Sequence, residues 1–192
     1  MKKILIINGH PDKESLCHAL TDAYLKGAQS NSQIEVRRID LIDLKFDPIL
    51  RYGYRVPYEL EPDLKQAQQD ILWADHLVWV YPLWWGTFPA LLKGFLDRVF
   101  LPGFAFKYHK NDPFWDKLLK GRTARVIVTM DTPGLFYRIM YSSAGHKIMN
   151  RQVLGFSGVK VKFTTFSPIR NSKPEQHQKW LAKVEQLGKA GE

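Results

Sequence analysis

The sequence predicts an α/β fold: a five-stranded parallel sheet of order 2-1-3-4-5, covered by helices on both faces. Three observations carry this expectation. Short apolar runs alternate with segments of helical periodicity along the chain. The central runs, such as "HLVWVYPL", are almost continuous in apolar, β-branched and aromatic residues, as strands buried on both faces require. No repeat, linker or low-complexity segment breaks the alternation, so residues 1–192 are expected to form a single domain.

The elements follow in order. "KILIIN", Lys3 to Asn8, reads as the first strand. Ser15 to Gln29 reads as a helix, with Ser15 as N-cap and Gly27 near its end. "IEVRRIDL", Ile34 to Leu41, alternates apolar and polar residues and suits an edge strand. Leu64 to Ala74 is helical, and His76 to Leu83 is the third strand. Pro89 to Phe100 is the next helix: Pro89 suits a first turn, and Leu91, Leu92, Phe95, Leu96 and Val99 recur at helical spacing. Ala124 to Met130 is the fourth strand, and Phe136 to Asn150 is a helical segment. Val159 to Ile169 is the fifth strand, and Lys173 to Leu187 closes the chain as an amphipathic helix. Five such units fit the flavodoxin-like order, in which ligands sit beyond the carboxyl ends of the strands, at the switch between strands one and three.

Composition bounds the partners. The 28 Lys and Arg against 19 Asp and Glu leave a net charge of +9. The basic residues are scattered rather than interleaved with aromatics, so no nucleic-acid partner is expected, and the charge is an aid to attracting a nucleotide. No apolar run reaches the roughly 18 residues of a membrane span. "MKKILIINGH" reads as a strand rather than a signal peptide, and a cytoplasmic protein is expected. The single cysteine, Cys17, has no disulfide partner, and no Cys/His metal spacing occurs.

Three loops at strand ends have chemical content. The first, Gly9 to Cys17, leads into a helix whose opening amides lie at the positive end of its dipole. Ser15 either caps that helix or also receives a phosphate, and His10 either bonds loop backbone or meets a ligand. Neither a P-loop nor a dinucleotide fingerprint is present. The third-strand loop places Pro82, Trp84, Trp85, Gly86 and Phe88 together. These form either a slot for a planar ring or packing against a loop or a second copy. The fourth, "DTPGLFYR", offers a Pro133-Gly134 turn and the Tyr137 phenol. Rival folds fail here. A receiver domain needs an aspartate where Tyr81-Pro82-Leu83 stands, a low-molecular-weight tyrosine phosphatase needs arginine where Ala23 stands, and no G-x-S-x-G occurs.

"NGHPDKESLCHAL" followed by "YPLWWGTFPALLKGFLDRVF" resembles the flavodoxin-like NAD(P)H:quinone oxidoreductase family, which also holds modulator-of-drug-activity proteins and ancillary subunits of potassium-efflux systems. The resemblance covers nearly the whole chain. It implies a non-covalent flavin, FMN or FAD, in a homodimer. It also implies two-electron ping-pong transfer from NAD(P)H to a quinone-like acceptor. By position, His10, Ser15, Leu16 and Cys17 match the flavin phosphate and ribityl contacts, Cys17 standing where members often have asparagine. Pro82, Leu83, Trp84, Trp85 and Gly86 match the stretch along the isoalloxazine. Asp131, Thr132 and Gly134 replace a T-T-G-G loop at the ring's pyrimidine end. Tyr137 and His146 correspond to polar residues over the ring and are the catalytic candidates, able to stabilise charge on a reduced ring or quinol. The loop Arg51 to Pro62 is shorter than in FAD-binding relatives, which favours FMN. The alternative within the resemblance is a flavin-binding regulatory subunit that docks on a membrane transporter. A one-electron carrier would be acidic, against a pI near 9.6 here.

Overall fold

The computed structural model describes residues 1–56 and 59–192. Five parallel strands form one sheet: β1 (Lys2–Asn8), β2 (Ile34–Asp40), β3 (His76–Pro82), β6 (Thr123–Thr129) and β7 (Lys160–Phe166). Their spatial order is β2-β1-β3-β6-β7, the expected 2-1-3-4-5 when only the sheet's own strands are counted. Helices α1 (Leu16–Gln29) and α6 (Pro174–Ala190) pack on one face. Helices α2 (Pro62–Trp73) and α3 (Ala90–Val99) cover the other.

The two faces divide the core by strand parity. Leu5, Ile7, Leu77, Trp79, Tyr81, Val126 and Val128 join the core beneath α2 and α3. Ile4, Ile6, Val78, Val80 and Ile127 join the core beneath α1 and α6. Every residue of β3 is buried, which is why its sequence is an unbroken apolar run. Strand β2 is one of the two edges, and its outward Glu35 and Arg37 explain the alternation.

Three details depart from the sequence expectation. A short antiparallel hairpin, β4 (Phe106–Tyr108) with β5 (Trp115–Lys117), stands between α3 and β6. Strands of three residues are too short to show a period of two. The expected helix from Phe136 to Asn150 is broken into α4 (Gly134–Met140), α5 (Ala144–Lys147) and a π-helical stretch, Ile148–Leu154. The break falls where Ser142 and Ser143 both take positive φ, near 50°, and turn the chain back toward the sheet. Strand β7 ends at Phe166, before Pro168, which has no N–H to continue a ladder.

The segment after β2 is pinned to α3. Arg98 is fully buried, donates to Glu61 Oε2 at 2.7 Å and also reaches the Asp47 carbonyl. Within the loop whose length favoured FMN, Pro57 and Tyr58 lie outside the described residues. No described helix is long and apolar enough to cross a membrane.

Candidate functional site

The carboxyl ends of β1, β3 and β6 meet at the switch point and enclose a cleft of about 260 Å³. The loop after β1 is held from below by Asn8, which is fully buried. Its Oδ1 accepts the His10 amide at 3.2 Å, while Nδ2 donates to Asp40 Oδ1 at 2.9 Å and to His18 Nδ1 at 3.2 Å. Arg38 holds Asp40 in turn, at 2.6 Å. Burial pushes the Asp40 carboxyl up, but the hydrogen bonds from Arg38 and Asn8 outweigh it, so Asp40 lies below the usual carboxylate range.

His10 lines the cleft and meets the Trp84 indole edge-on, with centroids 5.2 Å apart. Its Nδ1 accepts the Asp12 amide at 3.0 Å, so in the neutral ring the proton sits on Nε2. Burial, the largest influence, lowers its pKa and favours that neutral form. Ser15 caps α1: its Oγ accepts from the His18 amide at 3.3 Å and donates to the Asp12 carbonyl at 2.7 Å. The amides of Leu16 and Cys17, in the first turn, have no intrahelical acceptor, and both residues line the cleft. The Cys17 thiol is buried 3.2 Å from Thr129 Oγ1, and burial pushes its pKa up to about 12. At neutral pH it is a packed, protonated thiol and no nucleophile.

The paired tryptophans after β3 occupy a tight turn. Trp84 N donates to the Thr87 carbonyl at 2.8 Å, and Thr87 N returns to the Trp84 carbonyl at 3.0 Å. Between them Trp85 and Gly86 both take positive φ, 50° and 79°, the pattern of a primed two-residue hairpin turn. Glycine accepts this freely; tryptophan does so at a cost of about 1 kcal/mol or more. The turn sends the neighbouring indoles to opposite fates. Trp84 faces the cleft and is 45% exposed, while Trp85 projects wholly into solvent. Phe88 is buried against Tyr81 instead of joining the slot.

The fourth loop supplies Thr129, Met130, Asp131 and Thr132, and Ile169 closes the cleft from beyond β7. Asp131 Oδ1 accepts the Arg170 amide at 2.8 Å and ties these two loops together. Of the residues expected from sequence, His10, Leu16, Cys17, Pro82, Leu83, Trp84, Asp131 and Thr132 converge on the cleft. Ser15 stands at its edge as a cap, Gly86 shapes the turn, and Gly134 opens α4. Thr129, Met130 and Ile169 were missed. Thr129 and Met130 read as the end of a strand and the start of the Thr129 to Gly134 stretch that departs from the family's loop, and nothing local ties Ile169 to residues some 40 positions earlier.

Tyr137 and His146 do not line the cleft; they form the wall behind the tryptophan turn. Tyr137 is buried, and its hydroxyl accepts the Gly145 amide at 2.8 Å and lies 3.3 Å from His146 Nδ1. His146 Nε2 lies 2.8 Å from Thr165 Oγ1. With the phenol donating to Nδ1, the ring donates from Nε2, giving a chain Tyr137 to His146 to Thr165. Burial holds His146 below its ordinary pKa and Tyr137 above its own. Gly145 packs so tightly that a Cβ there would lie 2.5 Å from the Gly86 carbonyl and 2.6 Å from Leu83 Cδ1.

Elsewhere, a larger cleft of about 510 Å³ lies between α3, the β4–β5 hairpin and the π-helical stretch. Its lining is mostly apolar, and it lacks the helix start that marks the smaller cleft.

A family model described as the flavodoxin-like fold matches residues 2–189. An uncharacterized NAD(P)H oxidoreductase of Haemophilus influenzae is 32% identical over 172 residues, 86% of this chain and 83% of that protein. The NAD(P)H dehydrogenase (quinone) 1 of Cavia porcellus is 31% identical over 174 residues, and the match spans 60% of that enzyme's length. The crystal structure of Smu.1420 from Streptococcus mutans superposes with a TM-score of 0.80 at 31% identity, over 98% of this chain and 99% of that one. With the strand order and the switch-point cleft, these matches lead to one conclusion: the chain belongs to the flavodoxin-like NAD(P)H oxidoreductase family.

Proposed function

We propose that this chain is a flavin-dependent NAD(P)H oxidoreductase that reduces quinones or similar small electrophiles by two electrons. The observation that carries the reading is one cleft in which a flat indole, Trp84, faces loop polar groups beside an open helix start. The related proteins named above, an NAD(P)H oxidoreductase and a quinone dehydrogenase, support it.

The residues present fit a flavin. The amides of Leu16 and Cys17, at the positive end of α1, suit a phosphate, and the His10 Nε2–H adds a donor. Pro82, Leu83 and Trp84 offer flat apolar contact, and Thr129 and Thr132 offer hydroxyls at the polar edge. A bound flavin would supply the hydride chemistry, accepting from NAD(P)H and donating to the acceptor. Tyr137 and His146 act through the turn they support: their hydrogen bonds fix Gly145, and Gly145 fixes Gly86 and Leu83. We assign them as positioning residues in place of direct catalytic contacts. The exposed aromatic side chains Trp85, Tyr108 and Phe114 support a homodimer, which sedimentation tests.

The test is direct. Purified protein should be yellow, bleach with NADH or NADPH and recolour with a quinone; heat release and chromatography then identify FMN or FAD. A colourless protein that takes up neither flavin overturns the proposal.

A further inference from the structure

A second, cationic cleft of about 310 Å³ lies at the opposite, amino-terminal edge of the sheet. It is lined by Lys2, His76, Arg125, Lys160, Lys162 and Glu192, among others. Strand β3 runs from His76 here to Pro82 at the first cleft, so the two sites stand roughly 20 Å apart at about 3.3 Å per residue. The parallel register brings its residues together: His76 pairs with Thr123, Thr123 with Lys160, and Arg125 with Lys162.

Two buried side chains here have unmet hydrogen-bonding capacity. Arg125 is 7% exposed; its Nη1 donates to Thr164 Oγ1 at 2.9 Å and its Nη2 to Glu192 Oε2 at 3.1 Å. Its Nε has no partner among the described residues. His76 is 5% exposed; its Nδ1 lies 2.7 Å from Thr123 Oγ1, and its Nε2 likewise has no partner among the described residues. Buried nitrogens left this way are rare and costly, and they point to a ligand. Charge points to its sign. Four cationic side chains face one carboxylate, that of the exposed Glu192, which sits on Arg125 and 3.7 Å from Lys162 Nζ. Lys2 Nζ is already turned to the Gly191 carbonyl, at 2.5 Å.

We propose that this cleft is a second ligand site, separate from the cofactor cleft, that binds the phosphate group of a small dianion, with Glu192 as a tethered competitor. A phosphate offers several acceptor oxygens to Arg125, Lys162 and Lys160 where Glu192 offers one carboxylate. Displacing Glu192 frees the Arg125 Nη2 and the Lys162 Nζ that its carboxylate now holds. Free phosphate and a phosphate monoester share this chemistry.

Calorimetric titration of the purified, flavin-loaded protein with inorganic phosphate, and separately with AMP, tests the site. Glu192→Gln is expected to tighten binding about fivefold, and Lys160→Glu with Lys162→Glu to weaken it about tenfold or more. Equal affinity for the two probes assigns the site to free phosphate, and tighter AMP binding assigns it to a monoester; either supports the site. No binding at millimolar probe, or binding that the double lysine variant leaves unchanged, overturns the proposal. NMR of the His76 ring at neutral pH gives a second readout: an anion bound in the cleft shifts its ring resonances, and resonances unmoved at saturating phosphate also overturn the proposal.

Discussion

Gly145→Ala tests whether α5 holds the tryptophan turn in place. The added Cβ would fall 2.5 Å from the Gly86 carbonyl, 2.6 Å from Leu83 Cδ1 and 3.0 Å from the Tyr137 hydroxyl. Such contacts are essentially never closer than 3.0 Å, so the turn or the helix must yield by about 0.5 Å. The Gly86 backbone is set by two consecutive positive φ values and cannot give way cheaply. Overpacking of this kind costs about 1–3 kcal/mol. At a urea m-value of about 2 kcal/mol/M, the midpoint should fall by roughly 0.5–1.5 M. Flavin uptake should weaken as well, because Leu83 and Trp84 line the cleft. Gly134→Ala is the control: its Cβ meets only Ser167 Oγ, at 3.4 Å, and its midpoint should match or slightly exceed the native one. A Gly145→Ala midpoint within about 0.2 M of the native protein, with flavin affinity unchanged, would refute the reasoning.

Other expectations concern the tryptophans, the thiol and acid. Trp84→Ala should weaken flavin binding by up to about tenfold, and Trp85→Ala far less, since only Trp84 faces the cleft; equal losses in fluorescence titrations would contradict this. Cys17, with its pKa raised to about 12, should resist thiol reagents in the native protein and react once unfolded; prompt stoichiometric labelling of native protein would count against it. His76 is held neutral, by burial first and then by Lys2, Arg125 and Lys162, down to about pH 3. The unfolded chain takes up a proton at this ring near its ordinary 6.5, so the contribution is complete above pH 6.5 and is lost as pH falls toward 3. His76→Gln should flatten the dependence of stability on pH between about 6.5 and 5, measured by urea unfolding in phosphate-free buffer. A slope unchanged from the native protein would show that His10 and His146, also lowered by burial, carry it instead.

The order of apolar runs was enough to determine the sheet. Ile4 to Ile7 and His76 to Pro82 read as doubly buried strands because their side chains serve two cores at once, which leaves a continuous apolar run with no alternation. The same order places the loops after β1, β3 and β6 at one edge, which singles out His10 and Pro82, while Leu16 and Leu83 follow from the family resemblance. Tertiary structure alone decided which tryptophan serves the cleft. Adjacent residues on a continuing strand would point oppositely, but here the outcome rests on positive φ at Trp85 and Gly86, stabilised by a bridge from Trp84 to Thr87. It also decided that Tyr137 and His146 stand behind the turn. Their places depend on two left-handed serines and on a glycine close approach, contacts between segments about 60 residues apart that no local pattern encodes. The cationic cleft was illegible for the same reason. Lys2, His76, Arg125, Lys162 and Glu192 are scattered through the chain, and parallel strand register is what gathers their charge in one place.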